Sequence, residues 1–117
     1  QVMRGFAGDI EHLTTLMSDA INHEGFSLVE VLQPCVTFNK INTYAWFRER
    51  IKKLEQPERS RLEALRKGVW TNQQIMIGEF FRESKPVLGY SYGVLENKNL
   101  LELKRKREMN KLFESFR

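Results

Sequence analysis

The sequence has a single cysteine in 117 residues, Cys35, and only two histidines, His12 and His23. One cysteine cannot form an internal disulfide, which excludes a disulfide-stabilised secreted domain and favours a cytoplasmic location. The two histidines lie at opposite ends of one predicted helix, too far apart to share a metal ion. The sequence also has no Cys-x-x-Cys pair, no Ser/His/Asp arrangement and no paired carboxylates at catalytic spacing. These residues alone therefore lack the parts of an enzyme.

Long hydrophobic runs are also missing. No apolar stretch approaches the roughly 20 residues that a membrane helix needs, and the first residues show no signal-peptide pattern. Hydrophobic residues make up 41% and charged residues 29% of the sequence, as in ordinary folded domains. The length suits one compact domain. Because the sequence opens at Gln1 inside a predicted strand or loop, we expect it to be a piece of a larger protein.

The first third of the sequence predicts a helix and then a strand. Asp9 is a good N-cap, and Gly25 is a plausible helix stop. The apolar face of the helix recurs at helical spacing and consists of Leu13, Leu16, Met17, Ala20 and Ile21. Residues 26–32 are mostly apolar and partly β-branched, which predicts a strand buried on both faces and paired on both edges. A helix followed by such a strand is half of a parallel crossover unit.

Four further elements are predicted after the cysteine. They are a helix capped by Asn42 or Thr43 and ended by Pro57, a helix over residues 59–67 closed by Gly68, a strand over Ile75–Phe81 and a helix over residues 96–117. Their predicted inward residues are Tyr44, Phe47, Ile51 and Leu54, then Leu62 and Leu65, and finally Met109, Leu112, Phe113 and Phe116. Gly78, inside the strand, indicates a close approach of two backbones.

Two other segments are weak candidates for binding sites. Residues 5–9, Gly-Phe-Ala-Gly-Asp, precede a helix as a phosphate-binding turn does, but the full glycine pattern and a preceding strand are missing. We interpret them as a tight turn into an N-cap. Residues 104–107, Lys-Arg-Lys-Arg, hold much of the excess positive charge. A solvated helix face is the usual explanation, and an acidic partner or nucleic acid is the alternative.

Cys35 is the most informative residue, because Pro34 stops the preceding strand and holds the next side chain at the rim of the sheet. In α/β proteins, ligands gather at the carboxyl ends of strands. A thiolate there can be an iron or zinc ligand, a nucleophile or a redox thiol. The alternative is a small buried hydrophobe, since free cysteine is among the most buried residue types. Spacing alone leaves these interpretations open.

A combination of segments resembles the β subunit of 2-oxoacid:ferredoxin oxidoreductases in its C-terminal portion. The segments are residues 4–9 (Arg-Gly-Phe-Ala-Gly-Asp), 23–27 (His-Glu-Gly-Phe-Ser) and 34–44 (Pro-Cys-Val-Thr-Phe-Asn-Lys-Ile-Asn-Thr-Tyr). The segment Ile75–Phe81 looks like the family's Ile-Pro-Ile-Gly-x-Phe-Tyr, with Met76 in place of proline. The Val-Thr-Phe-Asn that follows the cysteine is more similar to the two-subunit type acting on 2-oxoglutarate or a broad set of 2-oxoacids.

The resemblance implies that Cys35 is the fourth ligand of a 4Fe–4S cluster whose other ligands lie upstream, together with the site for thiamine diphosphate and magnesium. Such enzymes decarboxylate a 2-oxoacid on thiamine diphosphate, pass electrons to ferredoxin and transfer the acyl group to coenzyme A, with an α subunit as partner.

The resemblance also implies an α/β fold. Residues 1–40 would be the end of the thiamine-diphosphate-binding parallel-sheet domain, and residues 41–117 a mostly helical extension for packing and subunit contact. We expect the chain alone to be inactive and to hold no cofactor. We also expect it to self-associate, because a parallel sheet cut after most of its strands would leave edges bare.

Overall fold

The computed structural model of the chain describes residues 1–71, 73–87, 101 and 109–116. The chain divides into two compact units, Gln1–Lys85 and Pro86–Arg117. The elements described in the first unit are β1 (Val2–Phe6), α1 (Ile10–Asn22), β2 (Leu28–Leu32), α2 (Tyr44–Arg50), β3 (Ile51–Lys53), α3 (Arg61–Gly68) and β4 (Ile75–Phe81). In the second unit, the described residues include the helix α4 (Met109–Glu114).

The strands form one sheet in the order β2-β1-β4-β3. β1 and β2 are parallel, from the pair Val2 and Leu28 to the pair Phe6 and Leu32. β3 and β4 are also parallel, whereas β1 and β4 are antiparallel. The α/β class is thus confirmed, with a mixed sheet. α1 joins the parallel strands β1 and β2 and completes the predicted crossover unit.

α1 begins as predicted, because the Asp9 carboxylate accepts the His12 backbone N–H at 3.2 Å. The helix lies directly on β1: a Cβ added to Gly5 would come within 2.5 Å of Leu13 Cδ1. Leu16 is buried, whereas Ile21 is 84% exposed. The predicted apolar face of α1 is therefore only partly covered.

β2 corrects the prediction for residues 26–32. The strand begins at Leu28, lies at the edge of the sheet and pairs with β1 alone among the described strands. It is not buried on both faces, since Leu28 is 50% exposed. An apolar run predicts a strand from local sequence, but the position of that strand in the sheet depends on which other segments pair beside it.

The second helix is shorter than predicted. Thr43 caps it by accepting the Trp46 backbone N–H at 3.3 Å, but it ends at Arg50 instead of continuing to Pro57. Ile51–Lys53 forms β3, in which Ile51 pairs with Ile75. Pairing with β4 satisfies the backbone groups of this segment, and a β-branched residue suits a strand better than a helix. The helical spacing of Ile51 was therefore misleading.

α3 also presents a different face from the one predicted. It begins after the N-cap Ser60, and its buried residue is the small Ala64, whereas Leu62 and Leu65 are 58% and 69% exposed. The helix packs on β4 with the face that carries Ala64, and neither leucine is buried. The principal buried cluster lies elsewhere and consists of Phe6, Leu32, Phe47, Ile75 and Ile77.

One buried cation, Arg4, connects four elements of the first unit. Arg4 is 9% exposed, and its Nε lies 2.7 Å from Glu30 Oε2 on β2. Its other nitrogens donate to the carbonyl oxygens of Gly68 at 3.0 Å and Met76 at 3.3 Å. Its guanidinium carbon lies 5.1 Å from the Phe80 ring centroid. Arg4 therefore ties β1 to β2, to β4 and to the end of α3.

The predicted C-terminal helix lies mostly outside the described residues. Its described parts are Leu101 and α4, the latter followed by Ser115 and Phe116. Phe113 and Phe116 are 62% and 81% exposed. Among the helices that the structure describes, none has the length and apolar character needed to cross a membrane.

Replacing Gly78 with alanine is expected to destabilise the protein by about 1–3 kcal/mol. Gly78 has φ +124, and an added Cβ would lie 3.2 Å from Leu54 Cβ, so the change introduces both backbone strain and a tight contact. Gly68→Ala is the matched control, because nothing lies within 4 Å of an added Cβ there. Urea unfolding should show a loss for Gly78→Ala alone, and equal effects at both positions would contradict this explanation.

Replacing Arg4 with methionine is expected to lower the free energy of unfolding by about 2–4 kcal/mol. The change removes one partner of a largely buried ion pair and leaves two carbonyl oxygens without their donor. Arg4→Lys keeps the charge but loses the planar guanidinium with its several N–H donors. Its free energy of unfolding should therefore fall by less, about 1–2 kcal/mol. Urea unfolding of both variants measures this, and wild-type stability of Arg4→Met would show that the guanidinium is dispensable.

Candidate functional site

The carboxyl ends of β1 and β2 lie side by side at one edge of the sheet. Phe6 pairs with Leu32, and the Ala7 backbone N–H donates to the Leu32 carbonyl oxygen at 2.9 Å. Beyond these residues both chains leave the sheet, one toward Asp9 and the other toward Cys35. Cys35 thus lies at the carboxyl edge of a parallel pair, as the sequence predicts.

Cys35 is exposed, whereas the preceding Pro34 is buried. The interpretation of Cys35 as a small buried hydrophobe is therefore wrong. The backbone N–H groups of Phe38, Thr37 and Asn39, in the turn after the cysteine, stabilise the thiolate and lower the pKa of the thiol. Because these donors stabilise negative charge, the site favours a thiolate, the form in which cysteine binds metals or attacks electrophiles.

The turn that supplies these donors is held by hydrogen bonds of its own. The Asn39 backbone N–H donates to the Cys35 carbonyl oxygen at 3.1 Å. The Asn39 side-chain oxygen accepts the N–H groups of Ile41 at 3.0 Å and Asn42 at 2.9 Å. Lys40 Nζ donates to the Val36 carbonyl oxygen at 2.6 Å. The backbone around the sulfur is thus fixed by contacts within residues 35–42.

Sequence reasoning did not identify the amide donors of residues 37–39, because backbone groups carry no side-chain signature. The Thr-Phe-Asn-Lys-Ile-Asn sequence nevertheless contained a usable signal. Asparagine commonly accepts hydrogen bonds from backbone N–H groups a few residues further on, as Asn39 does here. Recognising that turn would have predicted a compact loop immediately after the cysteine.

Cys35 stands alone in the part of the chain that the structure describes, where no group of three or more His, Cys, Asp or Glu side chains is arranged to hold a metal ion. His12 and His23 lie at the start and just past the end of α1, as predicted. Burial, followed by the charge of Lys53, lowers the pKa of His12. A metal centre at Cys35 therefore needs further ligands from other segments or chains.

The turn between β1 and α1 does not form a phosphate site in this structure. A strand does precede the turn, contrary to expectation, but the Asp9 carboxylate occupies the helix N-terminus. Asp9 also pairs with Lys53 at 2.7 Å, and this hydrogen bond, partly opposed by burial, lowers the pKa of Asp9. The interpretation as a tight turn into an N-cap is confirmed. The basic residues 104–107 lie outside the described residues.

The chain is similar to the β subunits of one family of oxidoreductases. The family model described as the C-terminal part of the pyruvate ferredoxin oxidoreductase β subunit matches residues 35–97, more than half of the chain, beginning at Cys35. The β subunit of 2-oxoacid:ferredoxin oxidoreductase from Sulfolobus sp is 52% identical over 54 residues, covering 46% of this chain and 18% of the relative. The β subunit of 2-oxoacid:ferredoxin oxidoreductase 1 from Aeropyrum pernix is 31% identical over 93 residues, covering 68% of this chain and 29% of the relative.

A solved structure is similar over nearly the whole chain. It is 2-oxoglutarate:ferredoxin oxidoreductase from Magnetococcus marinus with 2-oxoglutarate, coenzyme A and succinyl-CoA bound. The TM-score is 0.75 at 25% sequence identity, and the match covers 99% of this chain and 40% of that chain. The present chain thus spans less than half the length of each of these proteins.

The Cys35 thiol is expected to ionise below the ordinary cysteine pKa of about 8.5. Its amide donors stabilise the thiolate, so the rate of alkylation by iodoacetamide should reach half its maximum at a lower pH in the folded chain than in the chain unfolded in guanidinium. The thiolate should correspondingly add to folding stability at high pH and lose that contribution as the pH falls through the folded pKa. Identical midpoints in the folded and unfolded chains would contradict this environment for the sulfur.

Proposed function

Because the chain belongs to the family of 2-oxoacid:ferredoxin oxidoreductase β subunits and matches their C-terminal portion, we propose that it acts as part of an enzyme that decarboxylates a 2-oxoacid oxidatively and passes the electrons to ferredoxin. The observation that carries this proposal is the position of Cys35. The cysteine is exposed at the carboxyl edge of β2, and the backbone amides of residues 37–39 lower its pKa. The family match begins at this residue.

Cys35 is proposed to supply one thiolate ligand of a 4Fe–4S cluster. Its chemistry fits, because the sulfur is accessible, favours the ionised form and is held by an ordered turn. A bound iron–sulfur cluster supplies one-electron transfer, and hydrogen bonds to its sulfurs help to set its potential. The amides of residues 37–39 are in place to make such bonds. The remaining cluster ligands would come from outside this chain.

Thiamine diphosphate and magnesium are proposed to bind in the part of the β subunit upstream of this chain. The described residues support this division, because the one helix N-terminus that follows a glycine-containing turn is filled by the Asp9 carboxylate, which would repel a diphosphate. Residues 1–40 would complete the cofactor-binding domain, and residues 41–117 would serve packing and contact with the α subunit. By itself the chain would be inactive.

For the substrate, we propose 2-oxoglutarate or a broad set of 2-oxoacids, with coenzyme A as acyl acceptor. The residues Val36 to Asn39 that follow the cysteine support the two-subunit type, and the similar Magnetococcus marinus enzyme is described with 2-oxoglutarate and coenzyme A bound. The competing idea, a small interaction module whose basic C-terminal helix binds an acidic partner or nucleic acid, is not favoured, since the family model and the similar proteins named above are oxidoreductases or their subunits.

Replacing Cys35 with serine in the full-length enzyme is expected to remove or destabilise the iron–sulfur cluster while thiamine diphosphate binding remains. Oxygen is a poor substitute for sulfur toward iron. Iron content and visible absorption measure the loss, and calorimetry with thiamine diphosphate and magnesium shows whether the subunit is still folded.

Thr37→Ser is the matched control, because it alters an exposed neighbour but keeps the backbone N–H that faces the sulfur. Its iron content should equal that of the wild type. Unchanged iron and unchanged electron transfer to ferredoxin in Cys35→Ser would overturn the ligand assignment.

A further inference from the structure

A cleft of about 550 Å³ opens on the face of the sheet that carries Arg4. In β1 and β2, Val2 and Leu28 are paired in register, and both line the cleft. α3 forms the opposite wall with Leu65 and Val69. The cleft is thus an apolar groove between a sheet edge and a helix, all within the first compact unit.

The α3 wall of this cleft also belongs to an exposed apolar stripe on the helix, here called the α3 ridge. Leu62, Leu65 and Val69 recur at helical spacing along α3 and the residue after it, and they are 58%, 69% and 66% exposed. A helix normally buries such a stripe. Together with Val2 and Leu28, at 38% and 50% exposed, the stripe presents on the order of 500 Å² of apolar surface. That is the apolar share of the roughly 800 Å² that each partner contributes to a standard protein interface.

The adjacent edge of the sheet has little protection against pairing. Within the described part of the chain, the outer edge of β2 has no neighbouring strand. Natural edge strands are usually blunted by lysine, proline or an inward charge. β2 contains neither lysine nor proline, and its one charged residue, Glu30, is engaged by Arg4. The edge therefore adds unpaired backbone groups beside the apolar cleft.

We propose that the cleft and the α3 ridge form an interface between two copies of this chain, with the ridge of each copy seated in the cleft of the other. A two-fold interface must be self-complementary, and this patch contains both a ridge and a groove. The charged groups at the rim are paired within the chain, Arg61 with Glu83 and Glu30 with Arg4, so the patch offers little free charge to a strongly acidic or basic partner and suits an apolar contact with itself. The proposal names the surface for the self-association of the isolated chain and does not depend on the enzyme assignment.

Leu65→Lys tests the interface, because a lysine at a 69% exposed helix position leaves the monomer fold intact but places a charge in the apolar contact. Ile21→Lys is the matched control. It changes an exposed apolar residue near the end of α1, which lies on the Gly5 side of β1, the opposite face of the sheet from Arg4.

Sedimentation velocity over a tenfold concentration range should show a dimer for the wild type and for Ile21→Lys. For Leu65→Lys the dissociation constant should rise about tenfold or more. Near-ultraviolet circular dichroism should confirm that both variants are folded. A wild-type monomer throughout would overturn the proposal, including a monomer whose cleft is covered by residues 86–117 of the same copy. Equal weakening by both lysine variants would also overturn it, since association would then not depend on this surface.

Discussion

The Arg4 guanidinium is the contact on which the arrangement of the sheet unit depends. A buried arginine must find partners for its charge and its N–H groups, and Arg4 finds them on three other elements: Glu30 on β2, the Gly68 carbonyl at the end of α3 and the Met76 carbonyl on β4. Phe80 and Trp70 flank the cation. The contact joins β1 to both of its neighbouring strands and to the end of α3. It also engages the charge on β2 that would otherwise protect the sheet edge.

The position of Cys35 follows from this arrangement. Because β1 and β2 are parallel, their carboxyl ends meet at one edge, and the turn after β2 begins where the turn after β1 also leaves the sheet. The sheet brings the cysteine to the rim, and the hydrogen bonds of Asn39 then shape the backbone around the sulfur. Long-range strand pairing therefore decides where the thiol lies, whereas the local turn after the cysteine lowers its pKa.

The apolar surfaces of the first unit have a common origin. β2 is an edge strand, and α3 approaches the sheet with Ala64, so side chains that the pattern predicts to be inward remain exposed on both. These side chains have few neighbours, because the described residues contain no strand beyond β2 and no element that covers the exposed side of α3. Such surfaces are energetically unfavourable in water and favour association, either with further parts of a longer subunit or with another copy.

The sequence by itself determined the α/β class, the cap at Asp9, the strand Ile75–Phe81 with its close approach at Gly78, and the family, because each rests on local patterns or on a contiguous motif around Cys35. Only the tertiary structure decided that β2 is an edge, that Ile51–Lys53 is a strand and that Leu62 and Leu65 remain exposed. These features depend on which distant segments pair with the same backbone groups and pack on the same faces of the sheet. The periodicity of residues along one segment does not contain that information. The lowered pKa of the thiol belongs to the same class, since its cause is backbone amides placed by the folded turn.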